Sequence, residues 1–201
     1  MDAKEDRNAK LAGTRGAVPP AKLAHIVRRT ARFPEMLRWY QGVLGAHVVH
    51  ADDMLAFLTY DEEHHRIALA AIPGLPDQPE LTAGTDHVAF SHADLGDLLY
   101  TYARLKREGI EPYWCINHGP TTSMYFKDPD GNKVELQVDN FPTAEEASAW
   151  MRCGDFAKNP IGVIFDPEAL LARYRAGEPM ESLTRRPALP EGATPFDMLR
   201  F

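Results

Sequence analysis

At 201 residues, with 22 Lys and Arg against 29 Asp and Glu, the chain carries a formal charge of −7. That length suits one domain, or two small repeated modules, and the acidic balance without a basic cluster argues against a nucleic-acid role. No apolar run approaches the roughly 18 residues a membrane span needs, and no signal-peptide stretch opens the chain. The two cysteines, Cys115 and Cys153, make no disulfide framework, so a cytoplasmic protein is expected.

Residues 1–20 are charged and small, without periodicity, and read as a mobile leader. Lys22 to Thr30 reads as a strand containing His25. Pro34 to Leu44 repeats apolar residues helically, with Pro34 suited to a first turn and Gly45 to the position past the end. Three short strands follow, at Ala46–Ala51, Met54–Tyr60 and Arg66–Ile72. A linker rich in proline and glycine occupies 73–84.

Then the order repeats. Asp86 to Ser91 is a strand containing His87. Asp94 caps a helix to about Glu108, whose stripe is Leu95, Leu98, Leu99, Tyr102 and Leu105. Strands at Pro112–Asn117, Ser123–Lys127 and Asn132–Val138 complete the second set. The two opening strands align histidine on histidine, which suggests a pseudo-twofold pair of modules. The fold class is therefore α+β: two βαβββ modules, about 22–72 and 85–138, in a domain at 21–140. The extension at 141–201 starts with a helix at Thr143–Arg152 and another at Pro167–Tyr174. It is expected to pack on the domain or on a partner subunit, and its role is not readable.

The strand pair ending the second module carries the chemistry. Asp128-Pro129-Asp130-Gly131 makes a turn, with Pro129 presetting one dihedral and Gly131 taking a positive φ. Met124 and Phe126 share a face with Val134, Leu136 and Val138, whereas Tyr125, Lys127, Glu135 and Gln137 take the other. Glu135, on that less apolar face, reads as either a solvated outer residue or a ligand.

His118, Met124-Tyr125, Asp128-Pro129, Gly131 and Glu135, in this order and spacing, resemble the signature of the extradiol ring-cleaving dioxygenases of the vicinal-oxygen-chelate superfamily. The resemblance covers about 22–139 and implies two βαβββ modules around one cleft. Two strand histidines and a carboxylate, His25, His87 and Glu135, match a non-haem Fe(II) facial triad, which leaves open positions for a catechol and O2. Mn(II) accepts the same set. The resemblance further implies His65 as the acid–base residue, with His64 adjacent as its rival by strand parity, and His118 and Tyr125 as hydrogen-bonding partners of substrate. His47, His50 and His92 match no position of the family. The implied partners are a small aromatic diol and O2, with a homo-oligomer expected. A metal-dependent thiol transferase of the same fold and a metal-free binder of small aromatics are the alternatives.

Overall fold

The computed structural model describes residues 16–79 and 81–200. The leader read at 1–20 lies outside them except for 16–20, which are exposed and irregular. The first module comprises β1 (Ile26–Thr30), α1 (Phe33–Leu44), β2 (His47–Ala51), β3 (Leu55–Thr59) and β4 (Ile67–Ala71). The second comprises β5 (His87–Ser91), α2 (Leu95–Arg107), β6 (Trp114–Asn117), β7 (Thr121–Lys127) and β8 (Lys133–Asp139). The tail adds α3 (Ala144–Met151), α4 (Gly154–Lys158), β9 (Val163–Ile164), α5 (Pro167–Arg175), α6 (Met180–Thr184) and a 3₁₀ turn at Pro195–Met198.

Each module makes its own sheet, in the order β1-β4-β3-β2 and β5-β8-β7-β6-β9. The first strand of each module runs parallel to the last and lies at a sheet edge. The registers repeat as well: Val27 pairs Ala68 in the first sheet as Ala89 pairs Glu135 in the second. Ala68 thus stands where the second module has its carboxylate.

Helical spacing buries Met36, Trp39, Tyr40 and Val43 on one side of α1, and Gly45 ends it in the left-handed region at φ 62°. Asp94 starts α2 by accepting a hydrogen bond from the Asp97 N–H at 2.9 Å. The stripes of both helices join Leu58, Ile67 and Leu69 of the first sheet and Met124, Phe126, Val134 and Leu136 of the second in one core. The strand alternation therefore turns Tyr125 and Glu135 to the opposite face.

The read strand at Lys22–Thr30 is shorter in the structure. Its first carbonyls, Leu23 and Ala24, accept hydrogen bonds from the Arg66 guanidinium at 2.6 and 3.0 Å rather than from a strand ladder. His25 consequently precedes β1 by one residue.

A buried polar link ties the modules together. Asp128, 4% exposed, holds its turn by accepting from the N–H groups of Asp130 and Asn132, and it also accepts from the Tyr40 hydroxyl of α1 at 3.1 Å. Burial, and then the Asp128 charge, push the Tyr40 phenol pKa up, so the proton stays on Tyr40. Tyr40→Phe strips a buried carboxylate of one donor. We expect it to cost about 1.5–3 kcal/mol, read as a lower urea midpoint at unchanged slope.

Tail residues reach the same core. Leu170, Leu171 and Leu183 join it, and β9 pairs antiparallel with β6 through Ile116–Ile164 and Asn117–Val163. Val163 and Met198 make a second cluster with Ile116 and Tyr125. Both cysteines are free, and among the described residues no helix is long and apolar enough to cross a membrane.

Candidate active site and metal centre

His87 opens β5, beside the Ala89 that faces Glu135 in register. Its Nε2 lies 3.0 Å from Glu135 Oε2, and its Nδ1 lies 2.8 Å from Asp86 Oδ2. Asp86 is held in turn by Lys133 Nζ at 3.1 Å. Burial pushes the Glu135 carboxyl up, but hydrogen bonds from His87 and Ser123 outweigh it and hold it below the ordinary range. The Glu135 hydrogen bond, working against burial, raises His87. A carboxylate oxygen and an imidazole nitrogen meeting end to end, with a second carboxylate on the far nitrogen, make a donor set suited to a divalent cation.

Tyr125 pairs Glu135 across β7 and β8. Burial, then the Glu135 charge and its hydrogen bond, push the phenol pKa up, so the hydroxyl keeps its proton. His118 Nε2 lies 3.0 Å from that hydroxyl. Trp114 lies over Tyr125 at 4.6 Å between centroids and edge-on to His118 at 5.7 Å. Burial lowers the His118 pKa, which favours the neutral ring.

His25 and His65 form a separate pair, with ring centroids 4.3 Å apart. Phe57 flanks His65 at 4.9 Å. Strand parity would have put His65 on the Ile67 side, but the strand starts only at Ile67, so the parity does not reach it. His65 is half-buried against His25, whereas the His64 side chain is 72% exposed. Desolvation, then the neighbouring His25 and His64 rings, lower the His65 pKa and favour a neutral imidazole able to take a proton.

The structure thus brings His87 together with Glu135, Tyr125 with His118, and His25 with His65. It does not bring the first and last pairs into one group: no cluster of His, Cys, Asp and Glu able to hold a metal is closed among the described residues. His25 lines a narrow gap of about 130 Å³ between the two sheet edges, with Val88, Ala89 and Phe90 of β5 across it. His47 is exposed, and His50 lies 3.4 Å from exposed Asp52 and 6.1 Å from the Phe57 ring.

Sequence reading passed over three neighbours of these residues. Asp86 orients His87, and its adjacency to a strand histidine was the available signal. Ser123 shares the Tyr125 face by strand alternation and bonds Glu135. Trp114 lies opposite Tyr125 in register. Asp86→Asn tests the first of these. Loss of the orienting carboxylate should weaken metal binding roughly 10–100-fold, measured by competition against a chelator.

Two sheets from repeated βαβββ units, with one histidine just before the first opening strand, one at the start of the second, and a carboxylate on the closing strand of the second, define a class. The chain belongs to the Glyoxalase/Bleomycin resistance protein/Dioxygenase superfamily, whose profile matches residues 22–136. It is 48% identical over 167 residues to biphenyl-2,3-diol 1,2-dioxygenase 3 of Rhodococcus globerulus, covering 82% of this chain and 88% of that one. It is 49% identical to biphenyl-2,3-diol 1,2-dioxygenase 2 of the same organism, covering 81% and 86%. Among solved structures, the fosfomycin resistance protein FosX of Listeria monocytogenes matches with a TM-score of 0.53 at 20% identity, covering 67% of this chain and all of that one, a likeness of fold alone.

Proposed function

We propose that the protein is a non-haem Fe(II) extradiol dioxygenase, with His25, His87 and Glu135 as iron ligands and a biphenyl-2,3-diol or related catechol as substrate. The observation that carries this reading is the buried Glu135 carboxylate meeting His87 Nε2 at 3.0 Å inside an aromatic wall of Trp114 and Tyr125. The nearness of His25 to β5 across a narrow gap supports it as third ligand. Iron, when bound, supplies the one-electron chemistry that lets O2 react with an aromatic ring.

The chain's own side chains do the rest. His65, kept neutral by its surroundings, accepts a proton from the diol. Tyr125 and His118 hydrogen-bond the diol of the substrate, with His118 Nε2 accepting. Trp114 and the tail cluster of Val163 and Met198 keep water from the Tyr125 side. A homo-oligomer belongs to this reading: edge strand β2 is exposed along its whole length, with Val49 52% and neighbouring Met54 67% accessible.

The test is oxygen uptake by the Fe(II)-loaded protein across biphenyl-2,3-diol and 3-substituted catechols. One O2 consumed per ring is expected, with a yellow product of the 2-hydroxymuconic semialdehyde type that carries a ketone in place of the aldehyde where the cleaved carbon is substituted. Silence across the panel with iron bound would contradict the reading.

A further inference from the structure

The imidazole of His118 is set by something outside the repeated modules. Its Nδ1 bonds the backbone carbonyl of Ile161, in the loop between α4 and β9. A neutral imidazole carries one N–H, and a carbonyl can only accept, so the proton sits on Nδ1. Nε2 is left as the bare acceptor, 3.0 Å from the Tyr125 hydroxyl, whose one proton is shared between this nitrogen and the Glu135 carboxylate. The tail therefore chooses which nitrogen of His118 looks into the site.

Two side chains make that choice rigid. Asn159, 5% exposed, accepts from the Ile161 N–H at 3.1 Å and the Gly162 N–H at 2.8 Å, and donates to the Gly162 carbonyl at 2.9 Å. This locks 159–162 into one turn around Ile161. The turn lies directly on the strand end: Gly162 has φ 124°, and a Cβ there would stand 2.5 Å from the Asn117 carbonyl oxygen. Arg186 then fastens the turn to the histidine itself. Its Nη1 donates to the Asn159 carbonyl at 2.7 Å and to the His118 carbonyl at 3.3 Å, and its Nη2 donates to the Asp155 carbonyl at 3.1 Å. The guanidinium lies over Trp150 at 4.7 Å, which fixes the plane of the fork.

We infer that Asn159 and Arg186 are positioning residues that, through the Ile161 carbonyl, hold His118 as the Nδ1–H tautomer and keep Nε2 as a hydrogen-bond acceptor toward Tyr125 and the substrate. The inference rests on the dioxygenase reading only for what that acceptor does, not for how it is held.

Nitrogen-15 NMR of the histidine side chains in the full-length protein reads the tautomer directly. Wild-type His118 should show a protonated Nδ1 and a bare Nε2. Asn159→Ala should give a mixture of tautomers, and in the iron-loaded enzyme kcat should fall roughly 10–100-fold with KM little changed. Asn159→Asp keeps the Oδ1 that accepts from Ile161 and Gly162, and should restore the single tautomer and most of kcat. Arg186→Lys keeps the charge without the fork, and should mix the tautomers even if Asn159→Ala does not fold. Glu178→Ala, which breaks the Arg173–Glu178 pair elsewhere in the tail, should leave the tautomer alone. A folded Asn159→Ala or Arg186→Lys protein with the wild-type tautomer and kcat would overturn the inference. A wild-type protein that shows the single tautomer, loses it in the variants, and turns over no catechol would uphold the positioning role and sink the dioxygenase reading instead.

Discussion

Glu135→Ala should yield a folded protein that retains almost no metal. Glu135 is 4% exposed, lies 3.0 Å from His87 Nε2 and accepts from Ser123, so its buried carboxylate is held in place for a cation. Of the proposed ligands it alone is anionic. A divalent ion left with two neutral imidazoles from separate modules loses both charge compensation and geometry. The fold should survive because the residue points away from the main core, whose β8 members are Val134, Leu136 and Val138. His87→Ala and His25→Ala should behave alike, and elemental analysis after gel filtration reads all three. Full metal content in every variant would show that iron, if bound, is held elsewhere.

The second large effect is on turnover rather than metal. His65→Phe keeps a ring between His25 and Phe57 but removes the proposed proton acceptor. Acid–base groups contribute on the order of 10²–10⁴ in rate, so kcat should fall by that factor with iron content and catechol binding intact. Tyr125→Phe should lose less, because one hydrogen bond at a developing charge is worth about 1.5–3 kcal/mol. His64→Phe is the comparison: its side chain is largely exposed and it removes the 2.6 Å Nδ1–Nδ1 contact with His65, so its turnover should fall far less than that of His65→Phe. A crippled His64→Phe beside a normal His65→Phe would reassign the role to the neighbouring ring.

What the sequence made legible was local. The alternation of Met124 and Phe126 against Tyr125 depends only on strand geometry, and it puts Glu135 and Tyr125 on one face. The Asp94 cap and the helix stripes were readable for the same reason, since cap and stripe lie within a few turns of each other. The repeat showed in the matched strand histidines because each module solves the same packing problem. Strand ends were less readable: a long-range guanidinium, Arg66, replaces the ladder before Ile26, and no periodicity announces that. The choice between His64 and His65 turned on the same loss of parity at Arg66. The tail was opaque because its contacts run from side chain to backbone over long separations. Asn159, Arg186 and the Ile161 carbonyl carry no spacing rule, and β9 is only two residues long.

Ring cleavage under ¹⁸O2 tests the central claim most directly. The Fe(II)-loaded protein is given biphenyl-2,3-diol in labelled oxygen and unlabelled water, and the product is trapped quickly for mass spectrometry. An extradiol dioxygenase places both labelled atoms in one ring-opened product. A product carrying a single label, or oxygen consumed without ring opening, would contradict the assignment.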